Sequence, residues 1–447
     1  MKFCYYHNPI YISHQCQLYC MTLEPVHIKA LSELADRIDR CLKPDGPEED
    51  GTNGVMDILE RLKELKHDGK VVLKAIGRLK RGRVSIEKMA LSQDPFPVTY
   101  SCDSGSTTTR SFDNGLYVDF CHCAMASTPT DLELHNRRTI VAATYTPSYS
   151  VHIDTTANWG ILDEGASRSQ IIRIQPGLLN KRIDRIVHDV ALYLSESEHI
   201  LWLKDELDPR GFFIMDGPIY PKHLMYWMVI GSEEVQLLYD PHTERILQNY
   251  IDIVDHHIDK KLPFIGFVKN PEDMQIMQTL RKEGMKDLPW LMDAQFFKNL
   301  LSFPPYLEEK KRYDRYITYT NWFMQPNQFY ERMLGTTSPL VKEKLRARYP
   351  HEYYSLTFFV VYVPSKNLLF KIEAPYGLTQ DEGMRDIITR KVLYDIALSE
   401  IPGTLKKADS IAKIQVSERK QIIDRFRYSR VDTSYNETRW GEYDEDR

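Results

Sequence analysis

The sequence predicts an α/β protein: a mixed sheet flanked by helices and preceded by an N-terminal helical region. Three observations carry this. Short apolar runs rich in aromatic and β-branched residues recur, among them FFIM at 212–215 and the apolar parts of LPFIGFVKNP (262–271) and SLTFFVVYVP (355–364). Runs of that length suit strands buried on both faces. Turn residues stop each run, with Asp216, Gly217 and Pro218 after the first, Pro271 after the second and Pro364 after the third. Between the runs lie longer stretches, such as 176–211, whose apolar residues recur at helical spacing.

The totals set bounds on this fold. A chain of 447 residues suggests two or three units. Its 42% apolar and 27% charged content is ordinary for a globular protein. A net charge of −5 excludes a bulk basic protein, so any nucleic-acid contact must use local patches. No stretch approaches the roughly 18 apolar residues of a membrane span. All seven cysteines lie at or before Cys123. An odd count confined to one end is not a disulfide framework, and it predicts a reduced, cytoplasmic protein.

The elements follow in order. Residues 1–20 are rich in Cys, His and Tyr and lack the pattern of a signal peptide. Met21 is expected as the natural start, with 1–20 as an upstream extension. Cys4, His7, His14, Cys16 and Cys20 match no standard zinc spacing. Residues 21–92 read as the N-terminal helical region, with helices at 26–43 and 54–92 around a loop at 43–54. The basic run from Lys70 to Arg83 is then either a solvated helix face or a DNA-contacting one. The main domain spans 93–426. It opens with strands from Pro97, turning at Asp113-Asn114-Gly115, and gains strand character at 138–153. A long helix covers 176–211, then the strand ending at Asp216, a helix at 223–260, a strand running to Lys269 and a hairpin at 355–375. Helices at 379–400 and 403–426 complete it. The tail, 427–447, is polar and expected to be disordered.

Four carboxylates stand out. Asp216 sits where a buried strand empties into a loop, the rim at which open α/β sheets bind ligands, although Asp before Gly is also ordinary turn chemistry. Asp103 ends a second short strand, in TYSCDSGS. Hard divalent metals want such oxygens, and two-metal phosphoryl transfer needs several of them together. On the helix before Asp216, at about 100° per residue, Val187, Val190, Leu194 and Leu201 fall within about 40° of Ile183. Glu198 lands about 60° away, at the edge of that face, and Glu196 about 220° away. This predicts that Glu198 looks inward and that Glu196 is solvated. Asp409 lies beside the apolar face of the last helix, among small residues.

This order of acidic residues on strand, helix, strand and last helix is similar to the plan of RNase H-like nucleases. More specifically, the chain resembles the NurA family of archaeal and bacterial DNA-repair nucleases. The segments that carry the resemblance are CDSGS (102–106), LSESEHILWL (194–203), IMDGPIYP (214–221), IGFVKNP (265–271), YTNWFMQP (319–326), FKIEAP (370–375) and IPGTLKKADSIAKI (401–414). The family's Val-Asp-Gly-Ser opening appears as Cys102-Asp103-Ser104-Gly105-Ser106, with one residue inserted before the glycine.

The resemblance implies an RNase H-like sheet with helices on both faces. It implies manganese- or magnesium-dependent cleavage of DNA, as a single-strand endonuclease and 5′-to-3′ exonuclease, in the resection of double-strand break ends. It also implies a homodimer acting on single strands and duplex ends, fed by a HerA-type hexameric ATPase. Asp103 and Asp216 match the two strand aspartates, and Glu198 matches the helix glutamate, with Glu196 as the fallback. Asp409 stands where many members have histidine, and Ile401 where some have tyrosine. On this reading Asp103, Glu198, Asp216 and Asp409 hold one or two ions, and Lys269 neutralises a phosphate oxygen or plays a structural part. Glu373 is a weaker candidate. Tyr319, Trp322 and Phe323 either stack unpaired bases or pack the core. The alternatives are a DNA-end adaptor that has lost efficient cleavage and an RNase H-like enzyme acting on RNA.

Overall fold

The structure is a computed structural model and describes residues 23–41, 49–176, 182–224, 240–302, 314–326 and 345–432. The cysteines and histidines of residues 1–20 lie outside these. The chain divides into two compact units, 1–57 and 58–447. In the first, the helix Pro25–Cys41 buries none of its residues. A second helix, Glu49–Arg61, runs across the division.

Among the described residues, fifteen strands form one mixed sheet flanked by helices. Its centre is built from β1 (Thr99–Ser106), β2 (Tyr117–Thr128), β3 (Arg138–Tyr145), β4 (Phe212–Asp216) and β5 (Phe264–Val268), in spatial order β3-β2-β1-β4-β5. β2 is antiparallel to β1 and β3. β4 is parallel to both β1 and β5. Parallel neighbours need a crossover, and the helices α1 (Ile183–Leu203) and α2 (Pro241–Lys260) lie in those connections. α2 starts where Asp240 caps the N–H of His242 at 2.9 Å and Pro241 follows, a pairing that satisfies one free donor and needs none from proline. Beyond β5 the hairpin of β6 (Leu356–Val363) and β7 (Leu368–Pro375) extends the sheet, with β7 antiparallel to β5.

Alternation along the strands supplies two cores. Tyr100, Cys102, Phe213 and Met215 pack on one face with α1 and α2. Phe212, Ile214, Ile265 and Phe267 pack on the other with α3 (Glu382–Ser399) and α4 (Gly403–Ala412). α4 crosses β1 closely. A Cβ on Gly105 would lie 1.7 Å from the carbonyl oxygen of Ala412, so only glycine fits there.

Several sequence expectations change. Residues 64–85 are not helical: Glu64–His67, Lys70–Ala75 and Arg81–Ser85 are strands. The first two form a hairpin turning at Asp68 (φ 49°) and Gly69 (φ 73°), the left-handed pair that Asp-Gly favours. The other two pairings join Lys70–Ala75 to Phe323–Gln325 and Arg81–Ser85 to Tyr316–Thr320. The boundary expected at 92/93 therefore falls inside one sheet, and the basic run Lys70–Arg83 lies mainly on strands, not on a helix face. The helix expected at 403–426 breaks into α4 and Val416–Ile423. Part of the expected tail is ordered, since Val431 bridges Phe112 and Asn114 donates to the Ser429 hydroxyl at 2.8 Å. Residues 433–447 lie outside the described residues, as do 225–239 of the helix expected at 223–260.

Candidate active site

The register of β4 on β1 pairs Phe212 with Thr99 and Met215 with Cys102. One step further sets Asp216 beside Asp103. By alternation both carboxylates share the face of Phe212 and Ile214, the side covered by α4. Asp216 is the last residue of β4, and Gly217, at φ 103°, turns the chain away at once. Asp103 Oδ1 accepts the Ser104 N–H at 2.8 Å. Ser104 points to the opposite face, where its hydroxyl donates to Glu196 Oε1 at 2.6 Å. Lys269, just past the end of β5, donates to Asp216 Oδ2 at 2.6 Å. Asp409, exposed on α4, is close enough to raise both strand aspartates electrostatically.

These groups meet at a cavity of about 700 Å³ lined by Asp103, Ser104, Glu196 and Asp216, with Arg182, Arg185, His188 and His223 around it. Arg185, His188, Leu192 and Glu196 recur every three or four residues, so α1 presents one continuous stripe to the cavity. That stripe is centred opposite Ile183. The expectation for Glu198 is therefore corrected. Glu198 accepts from Arg245 at 2.6 Å and from Asn249 at 3.0 Å and pairs with Arg168 at 3.5 Å, away from the cavity. Nearly the whole circumference of α1 is buried, between β1–β3 on one side and α2 on another. The edge of its apolar face thus meets the buried Arg168 and the half-buried Arg245, and the polar side opposite faces the cavity.

The electrostatics are those of carboxylates crowded away from water. Burial, then the neighbouring Asp216, pushes Asp103 up to about 7. Burial pushes Glu196 up to about 8, with Asp103 and Asp216 adding to it. Asp216 is also raised by burial, although Lys269 opposes the shift. Negative charge here is under-compensated, and an all-oxygen donor set in that condition suits a hard divalent cation. As the side chains stand, no three of them surround one point among the described residues. Asp103 is turned to the Ser104 N–H and Asp216 to Lys269. Asp103, Glu196 and Asp216 are the residues that would hold an ion.

The other candidates lie elsewhere. Glu373 is fully buried and takes its partners from Lys222 at 2.7 Å and Lys371 at 3.0 Å. Trp322 and Phe323 are buried, against Phe359 and Phe358 respectively, and Tyr319 packs under Gly82, so these aromatics build the core. The sequence reading missed Ser104, which anchors Glu196, and His188, which lines the cavity. The signal for His188 was the stripe itself: Arg185, His188 and Glu196 share one helical face.

Comparison with known proteins gives a consistent family. The profile of the NurA domain family matches residues 97–414, more than half of the chain. Among solved structures, the NurA nuclease from Sulfolobus solfataricus is 11% identical, with 90% of this chain and 96% of that chain covered and a TM-score of 0.43. A NurA with manganese is 10% identical, with coverage of 85% and 98% and a TM-score of 0.39. A NurA bound to dAMP and manganese is 12% identical, with coverage of 75% and 90% and a TM-score of 0.32. No curated protein matches the chain.

Proposed function

The chain belongs to the NurA family, and from that premise we propose that it is a metal-dependent DNA nuclease with its active centre at Asp103, Glu196 and Asp216. The observation that carries this is the convergence of three carboxylates from two adjacent parallel strands and one crossover helix on a single cavity. The central order β3-β2-β1-β4-β5, antiparallel through β1 and parallel from β1 to β5, supports an RNase H-like reading of the fold. Manganese or magnesium, one or two ions, would supply Lewis-acid stabilisation of the scissile phosphate and activation of a water.

The protein's own residues do the rest. Ser104 fixes Glu196 from the strand side, and the β4–β1 register fixes the spacing of Asp216 and Asp103. Lys269 holds Asp216 through Oδ2, and its ammonium would neutralise an oxygen of a phosphate bound beside it. The finer reading, single-strand endonuclease and 5′-to-3′ exonuclease activity in end resection, rests on family membership alone. So do the homodimer and the HerA-type ATPase partner. Among the described residues no helix is long and apolar enough to cross a membrane.

The test is degradation of labelled single-stranded DNA across a range of Mn²⁺ and Mg²⁺, with matched RNA beside it. Wild type should cleave DNA, and Asp103→Ala, Asp216→Ala and Glu196→Gln should each lose cleavage. Two features favour the adaptor as a second reading: Lys269 occupies Asp216 Oδ2, and isoleucine stands at 401. Wild type as inert as the variants, at every metal concentration, would establish the adaptor. Cleavage of the RNA alone would move the substrate to RNA.

A further inference from the structure

A second acid lies beside the cavity and takes no part in the carboxylate cluster. Asp119, on β2, is fully buried. Its Oδ1 accepts from the Ser106 hydroxyl at 2.7 Å and the Thr107 hydroxyl at 3.1 Å. Its Oδ2 lies 2.8 Å from His188 Nδ1 and accepts from the Thr109 hydroxyl at 3.3 Å. Burying a carboxylate is costly unless every lone pair finds a donor. Three hydroxyls and one imidazole meet that demand, so Nδ1 carries the proton in the bond to Asp119.

The consequence lies at the other ring nitrogen. His188 lines the cavity, and its side chain is about a third exposed, 35%. With Nδ1 fixed on Asp119, Nε2 is the atom left to face a ligand, on a ring that can no longer turn. The bond to Asp119 also favours the imidazolium, raising the ring above its ordinary value. An oriented cation at the mouth of an acidic cavity would be repelled by nothing a phosphodiester carries. Eight residues separate His188 from Glu196 on one helical stripe, about 12 Å. That is too far for both to touch one phosphate and suits two phosphates of one strand. Arg185 stands one turn nearer the helix start, on the same cavity wall.

We infer that His188, locked by Asp119, binds a non-scissile phosphate of the nucleic-acid strand whose cleavage site lies over Asp103, Glu196 and Asp216. This rests on the reading of that cavity as a DNA site. Asp119 is then a positioning residue and His188 a binding one.

The experiment separates the two readings by measuring binding without turnover. Fluorescein-labelled oligo(dT) is titrated with the full chain in Ca²⁺ buffer, at several salt concentrations, and anisotropy gives Kd. His188→Asn should weaken binding about 10-fold and lower the slope of log K against log salt by about 0.7, the value of one lost single-strand phosphate contact. His188→Lys, which keeps a cation at that place, should restore the slope. Asp119→Asn should fall between them. In Mn²⁺ turnover assays the loss from His188→Asn should appear mainly in KM. A folded His188→Asn protein with wild-type Kd and salt slope overturns the inference. Should His188→Asn fail to fold, a His188→Lys slope well below wild type overturns it instead. Binding that depends on His188 in a protein that cleaves nothing would sink the nuclease reading and leave this one standing.

Discussion

Glu196 and Glu198 are two residues apart on one helix and meet opposite fates, which makes them a built-in pair of controls. Glu196 reaches the cavity through Ser104, and Glu198 is tied to Arg245, Arg168 and Asn249. Glu196→Gln should lower Mn²⁺-dependent cleavage by more than about 100-fold, beyond the usual effect of losing an outer partner of a metal site. Glu198→Gln should keep most of the activity and lower the melting temperature, because it leaves the buried Arg168 and the half-buried Arg245 under-paired. The reverse pattern in a side-by-side assay would return the role to Glu198. Periodicity pointed to Glu198 because an apolar stripe marks only the face toward the sheet. It says nothing of what a fully buried helix meets on its other sides. Asp216 was legible because it lies where an apolar run gives way to glycine, whereas Asp103, read as a strand end, lies inside β1, which runs on to Ser106.

The same carboxylates set a pH dependence. Asp103 and Glu196 have folded values near 7 and 8, above their ordinary ones. Raised groups stabilise the fold below the unfolded value, near pH 4, and lose that contribution as pH climbs through 7 to 8. The metal-free protein should therefore melt lower at pH 8.5 than these two groups would allow at pH 6, and Asp103→Asn should narrow the difference. Mn²⁺ needs both groups ionised, so its upward shift of the melting temperature should be larger at pH 8.5 than at pH 6. Equal shifts in a thermal-melt series would count against these residues as ligands.

At the scale of elements, the loops after β4 and β5 are held by one set of charges, of which Lys371 and Glu373 are buried and Lys222 and Asp273 half-buried. Lys222, four residues past Pro218, donates to Glu373 of β7 at 2.7 Å and lies 3.4 Å from Asp273. Lys371 of β7 pairs with both Glu373 and Asp273. Glu373 Oε2 also accepts the Ile219 N–H at 3.3 Å. Burial alone would raise both acids, and the two lysines hold them below their ordinary values instead. The set thus clamps the loop that follows Asp216 to the loop that follows Lys269. Glu373→Leu would leave Lys371 buried with half its partners, at a cost of about 3–5 kcal/mol. Urea unfolding should show that loss, and an unchanged midpoint would refute the clamp. The sequence showed Glu373 as an acid in a strand. It could not show that Lys222, 151 residues earlier in the chain, joins the strand neighbour Lys371 beside it.

At the scale of the whole molecule, the family match begins at residue 97, but the sheet does not. Lys70–Ala75 and Arg81–Ser85 cover Phe323–Gln325 and Tyr316–Thr320. A chain cut to 97–447 would expose those backbone edges, with Ile317 and Met324 beside them, and open edges recruit other chains. It should express as aggregate, whereas 58–447 should stay in solution and melt as one transition. Soluble yield and a thermal scan of both fragments decide the matter. The strand-helix-strand order of the centre was legible from buried runs and their stops. The N-terminal strands were not, because a short amphipathic stretch satisfies helical and strand spacing alike until the Asp68-Gly69 turn is weighed. The contact of Gly105 with Ala412 has its own reach. A ribosome makes Asp103 early and Asp409 some three hundred residues later, yet they share one corner of the fold only once α4 has docked on bare backbone. An incomplete chain leaving the ribosome therefore lacks one side of this acidic corner until α4 arrives.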